Sequence, residues 1–119
     1  MIEVALVFDK EGKTLHWHGG QSAGAIHDSR DLWSVLWENR DILGGVAHTH
    51  PWNGEAWPSM TDVTTFRAVE KGLGKQLLWP VVTFSEVKGF VHNVVTGEYV
   101  PADITIEIEG IEELRARSR

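Results

Sequence analysis

The chain alternates between two hydrophobic periods. Residues 2–8, Ile-Glu-Val-Ala-Leu-Val-Phe, are rich in β-branched side chains and predict a strand. Asp9-Lys10-Glu11-Gly12-Lys13 predicts a hairpin turn, with Thr14 to His18 as the returning strand. Gly19 and Gly20 end that strand, and residues 19–27 read as a loop or irregular link. Asp28 or Ser29 can cap a helix that runs to about Asn39, with Leu32, Trp33, Val35 and Leu36 at helical spacing. Leu43 to His50 is largely apolar, as a strand in the middle of a sheet should be. Gly44 and Gly45 either weaken it or let another backbone approach. Pro51 to Pro58 is a loop, and Ser59 opens a second helix. In that helix Met60, Val63, Phe66, Val69 and Leu73 recur at three- and four-residue steps, and Gly72 and Gly74 end it. Leu77 to Phe84 predicts a strand, with Pro80 marking an edge or a bulge. Gly89 to Val95 predicts another strand, turning at Thr96-Gly97 into Glu98 to Val100. Ile104 to Ile108 alternates as an edge strand with one wet face, and Ile111 to Arg117 predicts a short helix.

This order predicts an α/β (α+β) architecture, a mixed β-sheet flanked by helices. There is no internal repeat, low-complexity segment or linker, so residues 1–119 read as one domain. A hydrophobic fraction of 42% and a charged fraction of 24% are ordinary for a globular chain with a real core. No apolar run approaches the length of a membrane span, and no charged-then-apolar leader opens the sequence. A cytoplasmic protein is therefore the expectation. The net charge of −6 gives no general attraction for phosphate backbones, and the basic stretch Arg115-Ala-Arg117-Ser-Arg119 is short. With no cysteine there are no disulfides, thiolate ligands or cysteine nucleophiles. The same absence argues against the zinc nucleic-acid deaminases, whose site needs a Pro-Cys-x-x-Cys element.

The chemistry concentrates between residues 44 and 62. His48 and His50 are two residues apart, and alternate side chains of a strand point the same way, so both imidazoles can share a cation. Asp62 offers a third, harder ligand at the start of the second helix. Three protein ligands leave a fourth position for water, the arrangement of a catalytic rather than a structural zinc site. A simpler reading also exists. Ser59-Met60-Thr61-Asp62 resembles a capping box, which would explain the serine and the aspartate without metal. His16 and His18 repeat the spacing of His48 and His50, but no carboxylate-bearing helix start follows closely, and they read as the solvated face of the hairpin. Trp52 and Trp57, two of six tryptophans, fall in the loop between histidines and serine. They either line a substrate groove or pin the loop to the body.

The conjunction His48-Thr49-His50-Pro51 … Pro58-Ser59-Met60-Thr61-Asp62 resembles the JAMM (MPN or JAB) metalloproteases, in their prokaryotic branch. The loop from His50 to Ser59 is one residue longer than the family's pattern, a cheap insertion thermodynamically. The opening Glu3-Val-Ala-Leu-Val-Phe-Asp is most similar to RadC-like members, whose key glutamate opens such a strand. The resemblance implies a cytidine-deaminase-like, JAB1/MPN-type domain that holds Zn2+ through His48, His50 and Asp62. It makes Glu3 the general base and Ser59 the donor to the oxyanion. Glu11 at a hairpin tip, Glu38 on a helix and Glu55 in the loop are poorer candidates for the base. The implied reaction is hydrolysis of a peptide or isopeptide bond. Its substrate would be a protein or peptide, such as the C-terminal tail of a ubiquitin-like or small carrier protein. Leu77 to Phe84 would offer a strand for such a tail to pair with. The alternatives are a catalytically inactive MPN-type interaction module and a RadC-like protein associated with DNA, the latter disfavoured by the acidic charge.

Overall fold

A computed structural model describes residues 2–19 and 30–119. Among these residues six strands form one mixed sheet accompanied by three helices, a mixed α+β fold. Strand β1 (Val4–Asp9) pairs antiparallel with β2 (Thr14–Gly19) on one side and with β3 (Leu43–Thr49) on the other. Helix α1 (Arg30–Glu38) precedes β3. The expected caps Asp28 and Ser29, and most of the expected loop 19–27, lie outside the described residues.

Helix α2 (Met60–Leu73) is the crossover from β3 to β4 (Val81–Val82), which run parallel. Parallel neighbours need such a long connection. The sheet continues antiparallel through β5 (Val87–His92) and β6 (Tyr99–Ala102), giving the order β2-β1-β3-β4-β5-β6. Helix α3 (Ile111–Arg117) follows. No helix among the described residues is long and apolar enough to cross a membrane.

Strand alternation divides the core into two layers. Ala5 and Val7 of β1 and Val46 of β3 pack with Leu32, Leu36 and Phe66 of the first two helices. Val4, Leu6 and Phe8 point the other way, with Ala47, and pack with Ile108 and Leu114. β3 is therefore covered on both faces, which is why its sequence is so apolar.

Three expectations are corrected. Ile104 to Ile108 joins no sheet. It is a strap laid across the second layer, with Ile108 buried and Ile104 and Ile106 packed beside it. Its end is fixed by Glu109 N–H donating to Gly12 O (3.0 Å). Alternation reports half-burial, which a strap and a strand share.

Leu77 to Phe84 is not a continuous strand. Only Val81 and Val82 form one, with an isolated bridge at Leu78. Pro80 lacks an N–H and so interrupts the ladder, yet it sits inside the sheet, where its carbonyl accepts from His48 N–H (3.0 Å). Because β3 and β5 flank β4, this segment offers no edge for strand addition.

Finally, α2 runs through Gly72, which lies against the Trp33 ring. Gly74 alone caps it, at φ 70°, with its N–H on Glu70 O (2.9 Å).

Glu70 ties the far end of this crossover to the sheet. Its carboxylate accepts from Leu77 N–H (2.7 Å), Trp79 Nε1–H (3.0 Å) and the Tyr99 hydroxyl. Burial, together with the hydrogen bond and charge of Glu70, pushes the Tyr99 phenol well above its ordinary range, against the opposing charge of Arg67.

The glycines of β3 admit a close backbone approach. A Cβ on Gly45 would lie 1.9 Å from Leu78 O and 2.7 Å from the Phe8 ring. Gly45→Ala should force this strand and its neighbour apart and lower stability by about 2–3 kcal/mol. Urea unfolding of the variant checks this, and an unchanged midpoint would refute the packing argument.

Candidate metal centre

β3 runs to Thr49, and His50 N–H still donates to Val82 O (2.9 Å), so the ladder extends one residue further. Period-two alternation then sets His48 and His50 on the α2 side, with Val46. Asp62 comes from the first turn of α2. The three residues are buried, and their ligand atoms converge. His48 Nε2 and His50 Nε2 are 3.1 Å apart, and they lie 3.0 and 2.9 Å from Asp62 Oδ2. Four-coordinate zinc with bonds of about 2.0–2.1 Å sets its ligand atoms roughly 3.3 Å apart. The observed triangle is within a few tenths of an ångström of that spacing.

Hydrogen bonding alone leaves this triangle frustrated. If both Nε2 atoms donate to Asp62 Oδ2, two N–H groups face each other across 3.1 Å. Asp62 Oδ2 already accepts from Ser59 N–H (2.9 Å), while Oδ1 is buried without a hydrogen-bond partner among the described residues. Three ligand atoms turned toward one point fit a shared cation, and the group could hold a metal ion. Burial raises the cost of ionising Asp62, but hydrogen bonds from His48 and His50, the charge of His48 and the Ser59 N–H outweigh it. The carboxyl is held well below the usual carboxylate range.

The capping box and the ligand set are both present. Ser59 Oγ accepts from Asp62 N–H (3.0 Å), and Asp62 Oδ2 accepts from Ser59 N–H. One carboxylate thus starts the helix and faces the histidines. Having accepted that bond, Ser59 still holds a hydroxyl proton that meets no acceptor among the described residues.

The imidazoles are oriented by rings. His48 packs against Phe66 (5.9 Å between centroids) and His50 against Trp52 (4.3 Å). Their Nδ1 atoms are buried and meet no hydrogen-bond partner among the described residues, where aromatic packing stands in place of the carboxylate or carbonyl that usually fixes a ligating histidine.

Glu3 stands immediately before β1. Ala5 pairs with His48, and continuing that register sets Glu3 opposite His50. Alternation puts Glu3 on the same face as Ala5 and Val7, toward α2. Its side chain is 0% exposed, so it is no water-facing glutamate of an edge strand.

The loop 51–58 is pinned to the turn between β4 and β5. Gly54 N–H donates to Ser85 Oγ (2.9 Å), Ala56 N–H to Glu86 Oε2 (2.6 Å) and the Thr83 hydroxyl to Gly54 O (2.8 Å). Beyond this loop, Asp62 meets both histidines and Ser59 meets Asp62. Trp52 and Trp57 are each nearly half exposed. Trp52 leans on His50, whereas Trp57 packs on Phe90 under the Lys88 ammonium. Each ring anchors the loop, as the pinning reading expects, and keeps an open face.

His16 and His18 are half-buried rather than solvated, and they join no metal-ligating group among the described residues. Sequence reasoning missed Thr49, between the two histidines, and its partner Ser118. Both are buried polar residues, and the only local signal was a hydroxyl in an otherwise apolar strand. No protein-family model matches the chain, and no curated protein matches it.

Proposed function

We propose that this chain is a JAMM-type zinc hydrolase that cleaves a peptide or isopeptide bond. The observation that carries the reading is the convergence of His48 Nε2, His50 Nε2 and Asp62 Oδ2 within 3.1 Å, with buried Glu3 on the same face of the sheet. A protein that needed only a helix cap would have no use for two buried imidazoles on that carboxylate. His48, His50 and Asp62 would hold the zinc, and the chemistry it would supply there is Lewis acidity toward a water and the scissile carbonyl.

The chain's own residues supply proton transfer and charge stabilisation. The Glu3 carboxylate accepts a proton from the attacking water as its oxygen bonds to the carbonyl carbon. The Ser59 hydroxyl donates to the oxyanion that develops there. Glu3 then returns the proton to the leaving amine nitrogen as the carbon–nitrogen bond breaks, so one water is consumed and a carboxylate and an amine are released. The open faces of Trp52 and Trp57, with exposed Met60 beside Ser59, suit a chain segment with apolar side chains rather than a charged polymer. The resemblance of the His48 to Asp62 segment to the JAMM metalloproteases makes the C-terminal tail of a ubiquitin-like or small carrier protein the substrate we infer.

Metal analysis of the purified protein tests the reading. Wild type supplied with zinc should retain about one ion per chain, and His50→Ala should retain none. It should also cleave a ubiquitin-fold protein that carries a C-terminal peptide extension. A wild type that binds no zinc overturns the proposal.

A further inference from the structure

Glu3 lies outside the β1 ladder, yet it is held in the interior. The residues on either side of it are fixed by one buried cluster. Ile2 N–H donates to Ser118 O (3.2 Å), and Val4 N–H donates to Thr49 Oγ1 (2.9 Å). The two hydroxyl oxygens, Thr49 Oγ1 and Ser118 Oγ, are 2.5 Å apart.

Proton counting gives this cluster a direction. A hydroxyl has one proton and two acceptor positions. Ser118 Oγ–H is used on Leu114 O (3.1 Å). Thr49 Oγ1 also lies 3.4 Å from Val4 O, but its contact with Ser118 Oγ is far shorter, and with the Ser118 proton on Leu114 O the Thr49 proton goes to Ser118 Oγ. The chain runs from Val4 N–H to the Thr49 hydroxyl, to the Ser118 hydroxyl, to Leu114 O, each oxygen accepting one bond and donating the next. Such relays reinforce one another in a buried setting. Thr49 and Ser118 are 1% and 0% exposed, so water does not compete.

The placement gives the relay its role. Thr49 stands between His48 and His50 but faces the opposite layer, where Leu114 of α3 packs with Val4 and Ala47. The strand that presents two metal ligands on one face therefore grips, on its other face, the backbone that carries Glu3. We propose that Thr49 and Ser118 are positioning residues, which lock the Glu3 backbone against β3 by way of α3. The catalytic part of this proposal rests on the hydrolase reading; the lock itself does not.

Amide hydrogen exchange, zinc content and turnover of the ubiquitin-fold probe, measured on Thr49→Val, Thr49→Ser and Ser118→Ala, test it. In Thr49→Val the Val4 amide should exchange at least about tenfold faster, while Leu6 and Val7 and the zinc content stay as in wild type. Turnover should fall about 10- to 100-fold in kcat with KM unchanged, as expected for a misplaced reacting group. Thr49→Ser, which keeps the hydroxyl, should restore both, and Ser118→Ala should repeat the loss. Unchanged exchange at Val4 in both Thr49→Val and Ser118→Ala overturns the lock. So does a uniform rise across β1 and β3, which would mean general destabilisation. A change confined to KM overturns the positioning role. If wild type binds no zinc and cleaves nothing, the hydrolase reading falls and with it the catalytic role, and Val4 exchange still decides the lock.

Discussion

Asp62→Ala should lose zinc and, separately, lose stability in the metal-free protein. The carboxylate has two duties. Its Oδ2 faces both imidazoles, and the same atom accepts from Ser59 N–H at the start of α2. Removing a capping side chain costs about 1–2 kcal/mol, or roughly 4–8 °C in Tm for a chain of this size. Asp62→Asn separates the duties, because an amide oxygen can still accept from Ser59 N–H but carries no charge for a cation. The expected pattern is no zinc and a lowered Tm for Asp62→Ala, against weakened zinc binding and a nearly normal metal-free Tm for Asp62→Asn. Zinc analysis beside thermal unfolding in chelator reads both. Full zinc retention by Asp62→Ala would remove this residue from the ligand set.

Glu3→Gln should abolish turnover and leave the metal in place. Glutamine preserves the size of the side chain and its hydrogen-bonding reach, but cannot accept and return a proton. General acid–base catalysis contributes about 10²–10⁴-fold, so the probe should be cleaved slower by that factor. Zinc per chain should match wild type, because Glu3 is not among the three converging ligands. A Glu3→Gln enzyme that works at the wild-type rate would show that another group moves the proton. Joint loss of zinc and activity would instead make Glu3 part of the metal site.

The candidate site was readable in the sequence because each of its parts obeys a local rule. His48 and His50 share a face through strand periodicity, and Asp62 sits in a helix start that Ser59 announces. Local rules also located the hairpin of β1 and β2, the central strand β3 and the three helices. What escaped depends on contacts between distant positions. Thr49 and Ser118 are 69 positions apart, and nothing near either one points to the other. The strap at Ile104 to Ile108 carries the alternation of a strand, and only the path of the chain decides that it lies over the sheet rather than in it. Pro80 was expected at an edge or a bulge because an unpaired position is usually found there. Here it breaks the ladder in the sheet's interior, between Trp79 and Val81, each of which is still paired.

β3 spends alternate side chains on two layers, and that division would tie any cation held at the imidazoles to α3. Occupancy at the imidazoles and docking of α3 act on the same few residues of backbone. Thermodynamic linkage requires the influence to be equal in both directions. Whatever free energy a bound cation lends to the seating of α3, a well-seated α3 returns as affinity for the cation. A substitution beneath the helix, far from the imidazoles, would change the affinity for such a cation only by as much as the cation changes the seating of the helix.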